Sequence, residues 1–251
     1  MIRRSLFSLV LTSALLVAPA AFAQTQPAPS SPPAAPAPIT ASRPQADIDR
    51  DVNRKPLEVI AFAGVKSGMK VAELAPGGGY YTRMLSAAVG PNGKVYVVAS
   101  PRQAARPGGL DTLNALAAVL PNIVVVTSEY TALALPEPVD VVWTTENYHD
   151  FHNGPTANIA ALNASVFKAL KPGGIFYVED HSAADGAGLE ATSKVHRMDE
   201  AVAKAELAAA GFTLDAESDL LRNPSDNKAG SNSEAGHFVT DRFMLRMKKP
   251  K

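Results

Sequence analysis

Seven short apolar runs punctuate this chain, at residues 70–75, 94–99, 123–127, 139–144, 175–180, 212–218 and 238–247. Helical periodicity fills residues 48–65 (interrupted near Pro56), 80–89, 110–120, 157–170 and 195–210. Strand runs alternating with helices of about ten residues specify βαβ units, and so an α/β doubly wound sheet. Right-handed crossovers place the C-terminal ends of the parallel strands on one edge. Ligands in such sheets sit outside that edge, where the strand order reverses. The last two runs are joined by a long segment without a helical pattern, which suits a final antiparallel strand. With 46% hydrophobic residues in 251, the chain has enough apolar material for one substantial core.

The N-terminal region is different material. Residues 1–23 read as a secretory signal peptide: Arg3 and Arg4 precede an apolar stretch, and Ala21-Phe22-Ala23 has the A-x-A cleavage pattern. Residues 24–44, rich in Pro and Ala, read as a disordered linker that buries too little surface to offset its ordering entropy. The folded domain is expected over 45–251. These features predict an exported protein, periplasmic if the source is Gram-negative, with no stable membrane insertion after cleavage.

Charge and cysteine content narrow the function further. Lys and Arg number 24, as do Asp and Glu; without Arg3 and Arg4 the balance is 22 to 24, a net charge of −2. Such a body lacks the basic stripe of a protein built to hold nucleic acid. The absence of cysteine excludes disulfides, thiolate metal sites and cysteine nucleophiles.

The segment 73–82, ELAPGGGYYT, leads from a strand through a tight turn into a helix. Gly77 and Gly79 allow close backbone approach, and the helix N-terminus behind them is electropositive. Glu73 brings a carboxylate to the same place. It would repel a pyrophosphate, and the GxGxxG spacing is absent, so a nicotinamide oxidoreductase is disfavoured. A cationic or hydroxyl-bearing ligand fits better. Tyr80 and Tyr81 open the helix, either to stack on an adenine or substrate ring, or with one packed under the sheet and the other at the surface. Trp143 lies within an apolar strand and reads as core.

These residues resemble the class I S-adenosylmethionine-dependent methyltransferases. The first motif of that family matches residues 73–79, and Lys171-Pro172-Gly173-Gly174, preceded by Leu170, matches its late turn. Asp140 falls where the family carries its fourth motif. PGGGYYT, NYHDFH, VEDH, HRMDEAV and AAGF further resemble a group of exported bacterial predicted methyltransferases. The resemblance implies a Rossmann-like sheet of about seven strands, mostly parallel with the last antiparallel. It implies S-adenosylmethionine as cofactor and a small-molecule acceptor. Glu73, Ala75, Gly77, Gly78, Gly79, Tyr81, Ser100, Glu146 and Asn147 would be its cofactor-binding residues. Two positions depart from the family pattern. Ala75 replaces the first glycine, and Ser100 stands where most members place the acid that holds both ribose hydroxyls.

Four of the five histidines fall near expected strand ends or the following helix. His149, Asp150 and His152 follow the fourth strand, Glu179-Asp180-His181 ends the fifth, and His196-Arg197 begins the expected helix 195–210. His149, Asp150, His152 and His181 are the candidate catalytic residues, since a histidine near neutral pKa suits a general base. Two other readings remain open at this level. One is a catalytically inactive exported binding module on the same fold. The other is a metal-dependent enzyme using the His149/His152/His181 cluster.

Overall fold

A computed structural model describes residues 43–233 and 239–251. The signal segment, all but the last two residues of the expected linker, and His237 lie outside them.

Three helices, α1 (Gln45–Ile48), α2 (Asp51–Arg54) and α3 (Pro56–Ala63), precede β1 (Lys70–Leu74) and α4 (Tyr80–Val89). Next come β2 (Lys94–Ala99), α5 (Pro101–Ala104), α6 (Asp111–Val119), β3 (Ile123–Thr127) and β4 (Val139–Thr145). The second half holds α7 (Ile159–Ala169), β5 (Leu170–His181), α8 (Glu190–Lys194), α9 (Glu200–Ala209), β6 (Thr213–Ser218) and β7 (Arg242–Lys248). Short 3-10 turns lie at Tyr130–Ala132 and His149–His152.

The seven strands form one sheet in the order β3-β2-β1-β4-β5-β7-β6. The first five are parallel, and β7 runs antiparallel to both neighbours. The chain winds outward from β1 to β3 and then restarts on the other side of β1, so the order reverses between β1 and β4. This is the α/β, doubly wound architecture the alternation predicts.

Strand alternation divides the core into two layers. Val71, Val97, Val141 and Trp143 pack under α3, α4 and α6, against residues such as Val59, Met84, Leu85 and Leu113. Ala72, Leu74, Val142 and Phe176 face the other way, against Leu162 and Val166 of α7 and Leu207 of α9. By the same alternation Glu73 faces the α4 side.

Two expectations are corrected. The helix expected over 195–210 begins only at Glu200, where Asp199 caps it by accepting from Ala201 N at 3.0 Å. Val195 and Arg197 instead bond back to Ala191 O of α8, and Met198 forms an isolated parallel bridge with Ser182 just past the end of β5: Met198 N donates to His181 O at 2.8 Å, and Ala183 N to Met198 O at 2.9 Å. His196 takes a left-handed backbone there, with φ of 51°, and Arg197 is anchored on Asp226 at 2.7 Å and Ser182 O at 3.0 Å. Side-chain and strand pairing therefore override helical periodicity. The second correction concerns residues 171–174, which bulge within β5 rather than preceding it. Val139 pairs with Leu170 and Val141 with Ile175, so four residues loop out opposite one. A Cβ on Gly174 would stand 2.9 Å from Lys171 O and 3.1 Å from Asp140 O, which favours glycine there. Asp140 lies at this N-terminal edge of the sheet, where it accepts from Lys70 N and Lys171 Nζ, away from the ligand edge.

β7 begins pairing at Arg242; Phe238, where the strand was expected to start, is outside the described residues. The polar stretch 223–233 is pinned by Arg197 to Asp226 and by Asn232 N to Val195 O at 3.1 Å. No helix among the described residues is long and apolar enough to cross a membrane.

Candidate functional site

The turn after β1 sits at the point of strand-order reversal. Ala75 N donates to Val98 O of β2 at 3.2 Å, and Asn147 Nδ2 donates to Ala75 O at 3.2 Å. Ala75 is thereby fixed between the ends of β2 and β4 in a left-handed conformation, φ 49°. Gly77 (φ 56°) and Gly79 (φ 81°) take the same region. They differ in surroundings: a Cβ on Gly79 would meet Leu116 Cδ1 at 2.5 Å, whereas Gly77 and Gly78 face open space. Gly79 is thus a packing glycine, and the open backbone of the turn is at residues 77 and 78. Arg83 Nη1 reaches back to Gly78 O at 3.1 Å and Gly79 O at 2.8 Å, and pairs with Asp47.

Glu73 is 2% exposed and accepts from Thr82 Oγ1 of α4 at 2.6 Å. Burial pushes its carboxyl up to about 8, against the smaller opposing effects of Thr82 and Arg83. The carboxylate expected at the open turn is therefore enclosed beneath the helix. Tyr81 is buried too, its ring centroid 5.0 Å from that of Trp143. Tyr80 donates to Asp51 at 2.6 Å. Both tyrosines are buried, so neither lies at the surface as the packing alternative expected of one of them, and Trp143 is fully buried as expected.

Helices α1 and α2 cap this region. Asp51 also receives Arg43, and the Arg54 guanidinium lies 4.7 Å from the Tyr80 ring centroid and 5.5 Å from that of Tyr81. Arg54 is paired with Glu146, which also accepts from Arg242 Nη1 at 2.9 Å. The same Arg242 nitrogen reaches Glu179 at 3.1 Å. Burial pushes the Glu179 carboxyl up to about 7, against the pull of Arg242. Four buried ionisable side chains, two acidic and two basic, join α2, the end of β4, β5 and β7. Glu146 holds φ of 55° at this junction. None of the cooperation among Arg54, Glu146, Glu179 and Arg242 has a local sequence signature.

Ser100 caps α5, accepting from Gln103 N at 3.2 Å. Tyr130, which no motif marks, reaches over from the turn after β3 and contacts Val98 O at 3.5 Å. Burial raises its phenol, partly offset by backbone groups of Ser100 and Ala75. Its hydroxyl therefore belongs to the crevice between β1 and β2.

The histidines separate into distinct environments. His149 is 2% exposed, and its Nδ1 lies 2.7 Å from Asp180 Oδ1. The Asp180 carboxylate also accepts from His149 N at 2.6 Å and His181 N at 2.8 Å. Burial pulls the His149 imidazole down, but Asp180 and the further carboxylates Asp150 and Glu146 hold it above its ordinary value. Its Nε2 lies 3.4 Å from Asp150 Oδ1, and His196 Nδ1 lies 3.5 Å from the same oxygen. His152 turns away, with Nδ1 at 3.0 Å from Tyr148 O and Nε2 at 3.0 Å from Glu206 Oε2. His181 Nδ1 lies 2.7 Å from Thr240 Oγ1. The structure thus gathers ring nitrogens of His149 and His196 about Asp150, while His152 lies apart and His181, its ring centroid 6.0 Å from that of His149, turns Nδ1 to Thr240. The position of His196 depends on the broken helix at 195–199, which its periodicity concealed.

No family model matches the chain, and no curated protein matches it in sequence. Its likeness to solved structures is one of fold. A SAM-dependent methyltransferase from Aquifex aeolicus has a TM-score of 0.59 at 19% identity, with 82% of this chain and 95% of that chain covered. The 1,6-didemethyltoxoflavin-N1-methyltransferase of Burkholderia thailandensis, solved with S-adenosylhomocysteine, gives 0.55 at 17% identity, covering 81% and 80%. The [4+2]-cyclase SpnF gives 0.57 at 14% identity, covering 85% and 84%. The chain therefore has the Rossmann-like fold of the S-adenosylmethionine-dependent methyltransferases, a scaffold that also carries a cyclase.

Proposed function

We propose that this protein transfers the methyl group of S-adenosylmethionine to a small-molecule acceptor. The observation that carries the reading is the open turn at Gly77 and Gly78, at the strand-order reversal and in front of the ten-residue helix α4. A Cβ at either glycine would occupy free space beside the sheet edge, so the backbone there is accessible to a ligand.

The chain's own groups fit the cofactor in a particular way. The turn 75–79 and Asn147 would flank its amino-acid portion, while Ser100 and the Tyr130 hydroxyl would meet its ribose. When bound, the cofactor supplies a sulfonium-activated methyl group. Methyl displacement then needs mainly alignment and removal of the acceptor's proton. The acceptor lies towards His149 and Asp150, at the ends of β4 and β5 on the same edge. His152 and His181 support that wall through Glu206, Tyr148 and Thr240. Glu73, beneath α4, holds the turn's helix in place rather than touching the ligand.

The test uses Gly78, whose φ is not left-handed and whose Cβ position is free. Gly78→Trp should preserve the melting temperature yet abolish calorimetric binding of S-adenosylmethionine and S-adenosylhomocysteine. Absence of binding to the unaltered protein at millimolar ligand would overturn the reading in favour of a non-catalytic binding module. Binding unaffected by the tryptophan would move the cofactor site away from this turn.

A further inference from the structure

The three-residue group at the acceptor wall has the geometry of a metal site. We propose that His149 Nε2, Asp150 and His196 bind a divalent first-row transition metal, leaving coordination positions open for an oxygen donor.

Three observations converge. First, the separations fit. Ligands at about 2.0–2.1 Å from a tetrahedral zinc stand roughly 3.3–3.4 Å from one another. His149 Nε2 and His196 Nδ1 lie 3.4 and 3.5 Å from one Asp150 oxygen. All three ligand atoms fall within 4.8 Å of each other. His196 is half-exposed on a loop, so a small rotation brings its ring closer to His149.

Second, the tautomer is set. Asp180 is buried and accepts two backbone N–H groups, so its carboxylate acts as an acceptor and draws the Nδ1 proton of His149. In the neutral ring the Nε2 lone pair then faces Asp150. A carboxylate behind a ligating imidazole is the usual support of a histidine metal ligand.

Third, the chain departs from regular structure to bring His196 here. The backbone at His196 is left-handed, uncommon for a residue with a side chain, and the neighbouring Arg197 is buried and anchored on Asp226. The segment is thus held firmly while the imidazole stays beside Asp150.

Two imidazoles and one carboxylate with open positions suit zinc or ferrous iron better than magnesium or calcium, which favour oxygen-rich sites. Asp150 and His196 are half-exposed beyond the ends of β4 and β5, so solvent and the proposed acceptor reach the group from that side. The inferred role, fixing an oxygen atom of that acceptor, rests on the methyl-transfer reading; metal binding itself does not.

The test therefore omits S-adenosylmethionine. Metal-stripped full-length protein is titrated with Zn²⁺ by calorimetry and with Co²⁺ by visible absorption. One equivalent should bind, with cobalt giving the ligand-field bands of a low-coordinate nitrogen–oxygen site. His196→Ala and Asp150→Asn should each weaken zinc binding at least about tenfold, and Asp180→Asn about ten- to a hundredfold through loss of the supporting bond. Asp140→Asn, at the opposite edge of the sheet, should leave the zinc affinity unchanged. Failure of the unaltered protein to bind zinc would overturn the proposal. So would zinc affinity insensitive to both His196→Ala and Asp150→Asn. Methyl-transfer activity without metal would remove the role and leave the site.

Discussion

Glu73 offers a direct measure of how far the first motif has been turned from ligand contact to scaffold. Its carboxyl is buried beneath α4, with Thr82 donating to it, and titrates at about 8 rather than 4.5. The folded state therefore retains a proton that the unfolded chain has already lost over that interval. Stability falls as pH rises from 4.5 to 8, because ionisation favours the unfolded chain. Each tenfold change in proton affinity is ~1.4 kcal/mol, so the full displacement is worth at most about 5 kcal/mol. Glu73→Gln keeps an oxygen that accepts from Thr82 but cannot ionise. Urea denaturation at pH 5, 7 and 9 compares the two proteins. The difference in unfolding free energy, variant minus unaltered protein, should grow by several kcal/mol between pH 5 and 9. Other titrating groups, Glu179 among them, cancel in that difference. Parallel pH profiles would refute the reasoning and return Glu73 to a hydrated, ionised state at the turn.

Other outcomes follow from neighbouring features. Arg242→Met leaves Glu179 buried with a lost partner, and should cost about 3–5 kcal/mol in urea unfolding; a loss under about 1 kcal/mol would mean the network is hydrated. Ser100→Asp retains an acceptor for capping α5 and adds a carboxylate at the end of β2. S-adenosylmethionine binding by calorimetry should tighten roughly tenfold, the scale of a hydrogen bond to a charged group; unchanged affinity would place the ribose elsewhere. Trp143, the single tryptophan, is fully buried with the Tyr177 ring centroid 4.3 Å away. Its emission should be blue-shifted, resist iodide quenching, and be excited in part through tyrosine. Ready quenching in the native protein would contradict the packing of β4 against α4.

The elements legible in the sequence are those whose local pattern and burial agree. β2 and β3 are compact β-branched runs bounded by turns, and α4 follows three glycines and stops at Gly90, so their bounds are set by local chemistry. The glycine turn could be placed at the sheet edge for the same reason. Orientation was harder to read. Alternation along β1 puts Glu73 under α4 instead of at the turn, which becomes apparent only once Val71 is assigned to that layer. The broken helix at 195–199 results from pairing between Met198 and His181, residues distant in sequence. Tyr130 lies in a segment without periodicity, so its approach to Val98 leaves no trace in the pattern. Arg54, Glu146 and Arg242 meet only because α2, β4 and β7 converge, and nothing near any one of them announces the others.

The position of β7 also governs the order in which the molecule can be assembled. It lies between β5 and β6 yet follows both in the chain. While residues 242–248 are still unmade, β6 has no place in the sheet, and the outer edge of β5 presents unpaired backbone to its surroundings. Such an edge invites pairing with other chains. Completion is consequently an insertion that seals two strands at once, and it brings Arg242 to Glu146 and Glu179 in the same event. A nascent chain stalled short of β7 carries nearly all of the core residues and still exposes a sticky border. Synthesis of a few final residues thus separates an aggregation-prone intermediate from the finished protein.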